Sequence, residues 1–146
     1  RENYDYIIVD TQPTRDSMIL SNALVAADYV LIPMMCDSFS EDSAFRTYSI
    51  CNELRKNPKT NLKGIGVILT MVDKGAATRE TREECQRVLG STLFKTEIPS
   101  ALAVKTSVRR CVPVCYSAKT QPIGKSYVAA YKELKQRLEK LDKEEK

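Results

Sequence analysis

Tyr4-Asp5-Tyr6-Ile7-Ile8-Val9-Asp10-Thr11-Gln12-Pro13 is the stretch whose reading decides the fold. Aromatic and β-branched residues run into an aspartate and then into a polar, proline-bearing turn. That is the pattern of a strand buried on both faces of a parallel sheet. Open α/β sheets bind ligands at the carboxyl ends of their strands, and Asp10 falls at that end. In a nucleotide-hydrolysing site an aspartate so placed is the Walker B carboxylate, which positions a magnesium ion, usually through water. A strand-terminal aspartate also caps turns and helices, so the position alone leaves both roles open. The Gly-rich phosphate loop that completes such a site occurs nowhere in the 146 residues.

Working outward, strands and helices alternate as a parallel sheet requires. Strands are expected at about 4–10, 29–34, 65–72 and 93–98. A helix is expected near 16–27, and a second begins at a Ser38 or Ser40 cap with Glu41 and Asp42 in its first turn. Phe45, Tyr48, Cys51 and Leu54 give that second helix an apolar stripe, and it stops before Asn57-Pro58. A third is capped near Thr78, turns Cys85, Val88 and Leu89 inward and ends at Gly90. The last runs from Ile123 to Leu141, with Val128, Tyr131, Leu134, Leu138 and Leu141 on one stripe and a frayed charged tail over 142–146. The fold class is α/β: a partial doubly wound parallel sheet with helices on both faces, in one domain spanning 1–146.

Composition narrows the chemistry. The chain has no histidine, which removes Ser-His and Cys-His catalysis and argues against a zinc site. Its five cysteines include no C-x-x-C pair and read as reduced, core-type thiols. Cys111 and Cys115 are a weak metal pair at most. No apolar run approaches the roughly 20 residues that cross a bilayer, and no signal-peptide pattern opens the chain, so a cytoplasmic protein is expected.

The net charge of +4 is uneven. Residues 1–97 hold 12 Lys+Arg against 14 Asp+Glu, whereas 98–132 hold six cations and no acid. Those six are Lys105, Arg109, Arg110, Lys119, Lys125 and Lys132, a candidate anion-binding face or simply a solvated one.

Four blocks carry a resemblance. They are Asp10-Thr11-Gln12-Pro13, then Asn22 to Met34 (NALVAADYVLIPM), Gly64 to Asp73 (GIGVILTMVD) and Phe94-Lys95-Thr96-Glu97-Ile98-Pro99. In order and spacing they resemble the ParA family of partition ATPases, in the deviant-Walker group that includes MinD. The resemblance implies a P-loop NTPase-like fold lacking its N-terminal strand and K-G-G-x-x-K-[ST] loop. The chain, opening at Arg1, is then the C-terminal part of a ParA-type protein, a fragment or processed piece.

By the same resemblance Asp10 fixes the water shell of Mg²⁺ against ATP phosphates, and Thr11 to Asp16, with Pro13, forms the γ-phosphate-sensing segment. Thr70, Asp73, Pro99, Ser100 and Ala101 wall the adenine pocket. For Asp73 ordinary strand-to-loop punctuation is an equal alternative. The full-length protein is expected to bind ATP and Mg²⁺, hydrolyse ATP, form a homodimer and bind DNA without sequence preference. It would meet a ParB-like partner at the nucleoid, and no membrane. This chain alone is expected to be inactive and to hold no cofactor.

Two departures are informative. Gln12 replaces the first proline of the family's D-x-P-P. After Ile98-Pro99 the family continues close to R-N-V-R-L-S-E-A, and here Ser100-Ala101-Leu102-Ala103-Val104-Lys105-Thr106-Ser107 lacks both arginines. Lys105, Arg109 and Arg110, one or two turns on, are the candidate DNA-binding replacements, since phosphate contact needs only cations on one surface. A non-enzymatic interaction module that kept the fold without the nucleotide is the alternative. The polar, acidic tail from Leu138 does not suit the membrane-seeking helix of the MinD branch. Gly124-Lys125-Ser126 imitates a Walker A ending, but position 119 is lysine where that motif needs glycine.

Overall fold

The computed structural model describes residues 3–11 and 18–144. Two parallel strands form the centre, β1 (Tyr29–Met35) and β2 (Gly64–Thr70), paired from Tyr29 with Gly64 to Met35 with Thr70. Helix α2 (Ser38–Lys56) is the crossover between them. Around this unit lie α1 (Met18–Ala26), α3 (Ala76–Leu89), α4 (Leu102–Arg109), the short α5 (Val114–Ser117) and α6 (Pro122–Glu144).

β2 is buried on both faces, as its unbroken Gly-Ile-Gly-Val-Ile-Leu run requires. Its alternate residues feed two cores. Ile65, Val67 and Leu69 join Ile32 and Met34 of β1 with Leu24 of α1, Ala44 and Cys51 of α2, and Cys85 and Leu89 of α3. Ile68 faces the other way, toward Phe94, Ile98, Val114, Ala118 and Ile123, with Ala103, Val104, Ala130 and Leu134 packed around them. Helices α1 to α3 therefore cover one face of the sheet and α4 to α6 the other. Gly64 and Gly66 lie on this second face so that the Tyr29 ring can cross them. A Cβ at Gly66 would stand 2.5 Å from both Phe94 and the Tyr29 hydroxyl. The hydroxyl itself is buried, and among the described residues it meets no hydrogen-bond partner. Burial raises its pKa, and the nearby Arg137 charge offsets part of that.

The class is as expected, but several elements differ. Residues 4–10 form no strand: Tyr4, Tyr6, Ile7, Ile8 and Val9 are exposed, Ile8 at 91%. A strand needs a neighbour for its amides, and no described residue supplies one, so apolar composition alone does not make this run a strand. The expected strand at 93–98 is reduced to two isolated bridges, Val67 of β2 with Leu93 and Val72, just beyond β2, with Pro99. Phe94 N–H donates to Val67 O and Ile98 N–H to Leu69 O, so the segment follows β2 but bulges between these points.

At the start of α2 the cap is Asp37, not Ser38 or Ser40. Its carboxylate accepts the Ser40 amide and hydroxyl, both at 2.9 Å. In α3 Val88 faces solvent, while Cys85 and Leu89 are buried and Gly90, at φ +52°, ends the helix as expected. The inward stripe of α6 is rotated from the expected one. Ile123, Ala130 and Leu134 pack on the core, and Val128 and Tyr131 are exposed.

Gly124 sits in the first turn of α6, where any Cβ would collide with the Ala118 carbonyl. Close helix packing, rather than phosphate binding, accounts for that glycine. All five cysteines are free. Burial pushes the Cys51 thiol up to about 11 and, with help from Glu41, the Cys85 thiol up to about 12, so both stay protonated and act as core residues. No described helix is long and apolar enough to cross a membrane.

Candidate functional site

The carboxyl ends of β1 and β2 form one edge, and the chain assembles most of the expected nucleotide set there. Thr70 ends β2, and its hydroxyl donates across the sheet to Met34 O at 3.2 Å. Met71 follows at φ +53°, a left-handed conformation that turns the chain sharply out of the sheet. Val72 then interlocks with the 98–100 segment: its N–H donates to Ile98 O and its carbonyl accepts Ser100 N–H, both at 3.0 Å. Thr70, Asp73, Pro99 and Ser100 are thereby fixed around Val72, and Ala101 caps α4 immediately after.

Asp73 has a structural task in this arrangement. Its carboxylate accepts the Thr78 hydroxyl and, at 2.9 Å, the Gly75 amide, closing the loop that starts α3. These bonds, the Thr78 hydroxyl first, hold its carboxyl below the usual carboxylate range. Beside it, Arg82 of α3 grips Glu97 through Nε and Nη2, an ion pair that ties α3 to the segment leading into Pro99. Sequence reasoning passed over this pair. Its only signal is an acid directly before Ile98-Pro99 and an arginine on the adjoining helix.

Asp10 and Thr11 are not brought to this edge by a strand. Asp10 is exposed, and among the described residues none pairs with its carboxylate. Pro13, with the rest of the expected switch segment beyond Thr11, lies outside the described residues. Among the described residues no three His, Cys, Asp or Glu side chains cluster as metal ligands.

The candidate DNA-contact residues lie on α4. Lys105 and Arg109 are four residues apart and share a face, Arg110 is the C-cap, and all three are exposed. No described acid pairs with any of them. Leu102 and Val108 are exposed beside them.

A parallel sheet sandwiched between helix layers, with loops gathered at its carboxyl edge, defines a partial P-loop NTPase-like α/β fold. The family model described as an AAA domain matches residues 1–64. Similar proteins include the sporulation initiation inhibitor protein Soj of Bacillus subtilis, 33% identical over 102 residues, 68% of this chain and 39% of that protein. The chromosome partitioning protein ParA of Myxococcus xanthus is 29% identical over 136 residues, 92% of this chain and 47% of its own length. The chromosome-partitioning ATPase Soj of Thermus thermophilus is 23% identical over 127 residues, covering 86% and 51%. The chain belongs to the ParA family of partition ATPases. It spans about half the length of the curated relatives it matches.

Proposed function

We propose that this chain is part of a ParA-type ATPase acting in plasmid or chromosome partition. In the whole protein ATP and Mg²⁺ bridge a homodimer, the dimer binds DNA nonspecifically at the nucleoid, and a ParB-like partner stimulates hydrolysis. The observation that carries this reading is the gathering of Thr70, Asp73, Pro99 and Ser100 around Val72 at the carboxyl edge, where α/β sheets bind ligands. Asp10 serves as the Mg²⁺-positioning carboxylate, and the phosphate cradle comes from a loop these residues do not contain. Asp10→Asn in the whole protein is therefore expected to cut ATP hydrolysis about 100-fold or more, read by phosphate release. The 146 residues alone are expected to show no tight ATP binding by calorimetry. A tight complex with them would overturn the assignment of the phosphate cradle elsewhere.

The departures at Gln12, Ala101 and Ala103, and the use of Asp73 in its own loop, favour a second reading: an interaction module that kept the fold without the nucleotide. Under it, the whole protein neither binds nor hydrolyses ATP.

A further inference from the structure

Three stretches converge at the carboxyl edge: the loop after β2 that carries Asp73, the 97–101 segment that leads into α4, and the start of α3. The first two are joined at Val72, whose N–H donates to Ile98 O and whose carbonyl accepts the Ser100 amide. Beyond Val72 both walls are loop. Asp73 follows the left-handed turn at Met71. On the other side, α4 starts at Ala101 with no side-chain cap to fix its first turn.

Helix α3 reaches both walls. Its Thr78 hydroxyl donates to the Asp73 carboxylate. Four residues on, and so on the same face of the helix, Arg82 donates to Glu97 through Nε at 2.5 Å and Nη2 at 2.8 Å. Cys85 and Leu89 root α3 in the core on one face of the sheet, whereas Ile98, next to Glu97, is buried in the core on the other. The pair therefore links the two layers at their edge. Lys56–Glu53, Arg87–Glu84 and Arg137–Glu133 differ in joining neighbours on one helix.

The worth of this pair is geometric more than energetic. The Arg82 and Glu97 side chains are 40% and 29% exposed. An ion pair so open to water adds no more than about 1 kcal/mol to stability. Its two-point contact nevertheless fixes distance and angle together. Here it fixes how far Pro99 and Ser100 stand from the Asp73 loop.

We propose that α3 is the splint of the nucleotide edge and Arg82 a positioning residue. Its pair with Glu97 sets the separation of the Asp73 and 99–101 walls, and thereby the affinity for the base of ATP, while leaving the phosphate chemistry alone. This rests on the nucleotide reading above.

The test is steady-state phosphate release by the whole protein with ATP and Mg²⁺, using inorganic triphosphate as a base-free competitive inhibitor. R82Q and E97Q are each expected to raise KM for ATP about 5- to 10-fold with kcat within about twofold, the signature of lost ground-state binding. The inhibition constant of triphosphate is expected to stay unchanged, because that ligand has no base. R82Q/E97Q is expected to be no worse than either single variant, since the two side chains make one contact. An unchanged KM in both single variants, in a parent that hydrolyses ATP, overturns the positioning role and leaves the nucleotide reading standing. Losses that add in the double variant, or a triphosphate constant that rises with KM, overturn it in the same way. A parent protein that neither binds nor hydrolyses ATP overturns the nucleotide reading and the proposal with it.

Discussion

Glu133 shows how one side chain can hold a segment that hydrogen-bonded sheet does not. The chain between Leu93 and Pro99 leaves β2 in a bulge, and the Lys95 and Thr96 amides find their partner in this carboxylate instead of a strand. Arg137 completes the clamp, lying 4.3 Å over the Phe94 ring while it binds three carbonyls of the preceding turn. Burial pushes the Glu133 carboxyl up, but the two amides and Arg137 outweigh it and leave the pKa lowered. Because the folded value lies below the unfolded one, near 4.5, this stabilisation is complete above that pH. It is lost as pH falls through the folded value. Glu133→Gln is expected to cost about 1–3 kcal/mol at neutral pH and to flatten the acid decline of stability. Urea denaturation at a series of pH values checks both.

At the scale of elements, Gly66 sets how closely Phe94 of the 94–98 segment approaches the sheet, as Gly64 does for Leu141 of α6. Gly66→Ala is expected to destabilise by about 1–3 kcal/mol, since its Cβ would stand 2.5 Å from both the buried Phe94 ring and the Tyr29 hydroxyl. Differential scanning calorimetry would show it, and an unchanged midpoint would mean the ring moves freely. The elements legible in the sequence are those whose burial is complete or whose caps are local. The all-apolar β2, the α2 stripe of Cys51 and Leu54, and the Gly90 terminator follow from the residues alone. What escaped depends on neighbours. Tyr4 to Val9 has a strand's composition but no partner amides among the described residues. The rotation of α6 that exposes Val128 and Tyr131 is set by the Gly124–Ala118 contact and the Glu133–Arg137 clamp. The carboxyl-edge residues were expected from the family resemblance, and the structure gathers Thr70, Asp73, Pro99 and Ser100 there, whereas Asp73's own bonds to Gly75 and Thr78 appear only once the loop is closed.

For the whole molecule, the exposed run from Tyr4 to Val9 and the part-exposed Leu31 and Met35 of β1 leave apolar surface of the kind that drives association. The 146-residue chain is expected to self-associate with rising concentration. Ile8→Lys should reduce that in sedimentation velocity while changing stability by no more than about 0.5 kcal/mol. The β1–α2–β2 crossover has a different consequence, in time rather than in energy. Each register pair joins residues 35 apart, as Tyr29 does with Gly64. The sheet can therefore zip only after a long loop has closed, and α2 is what shortens that search. Its N-cap should then belong to the folding nucleus. Asp37→Ala, at a cost of about 1 kcal/mol, is expected to slow refolding about fivefold and leave unfolding nearly unchanged. Stopped-flow refolding would read this directly, and the same loss appearing as faster unfolding would place α2 late in folding.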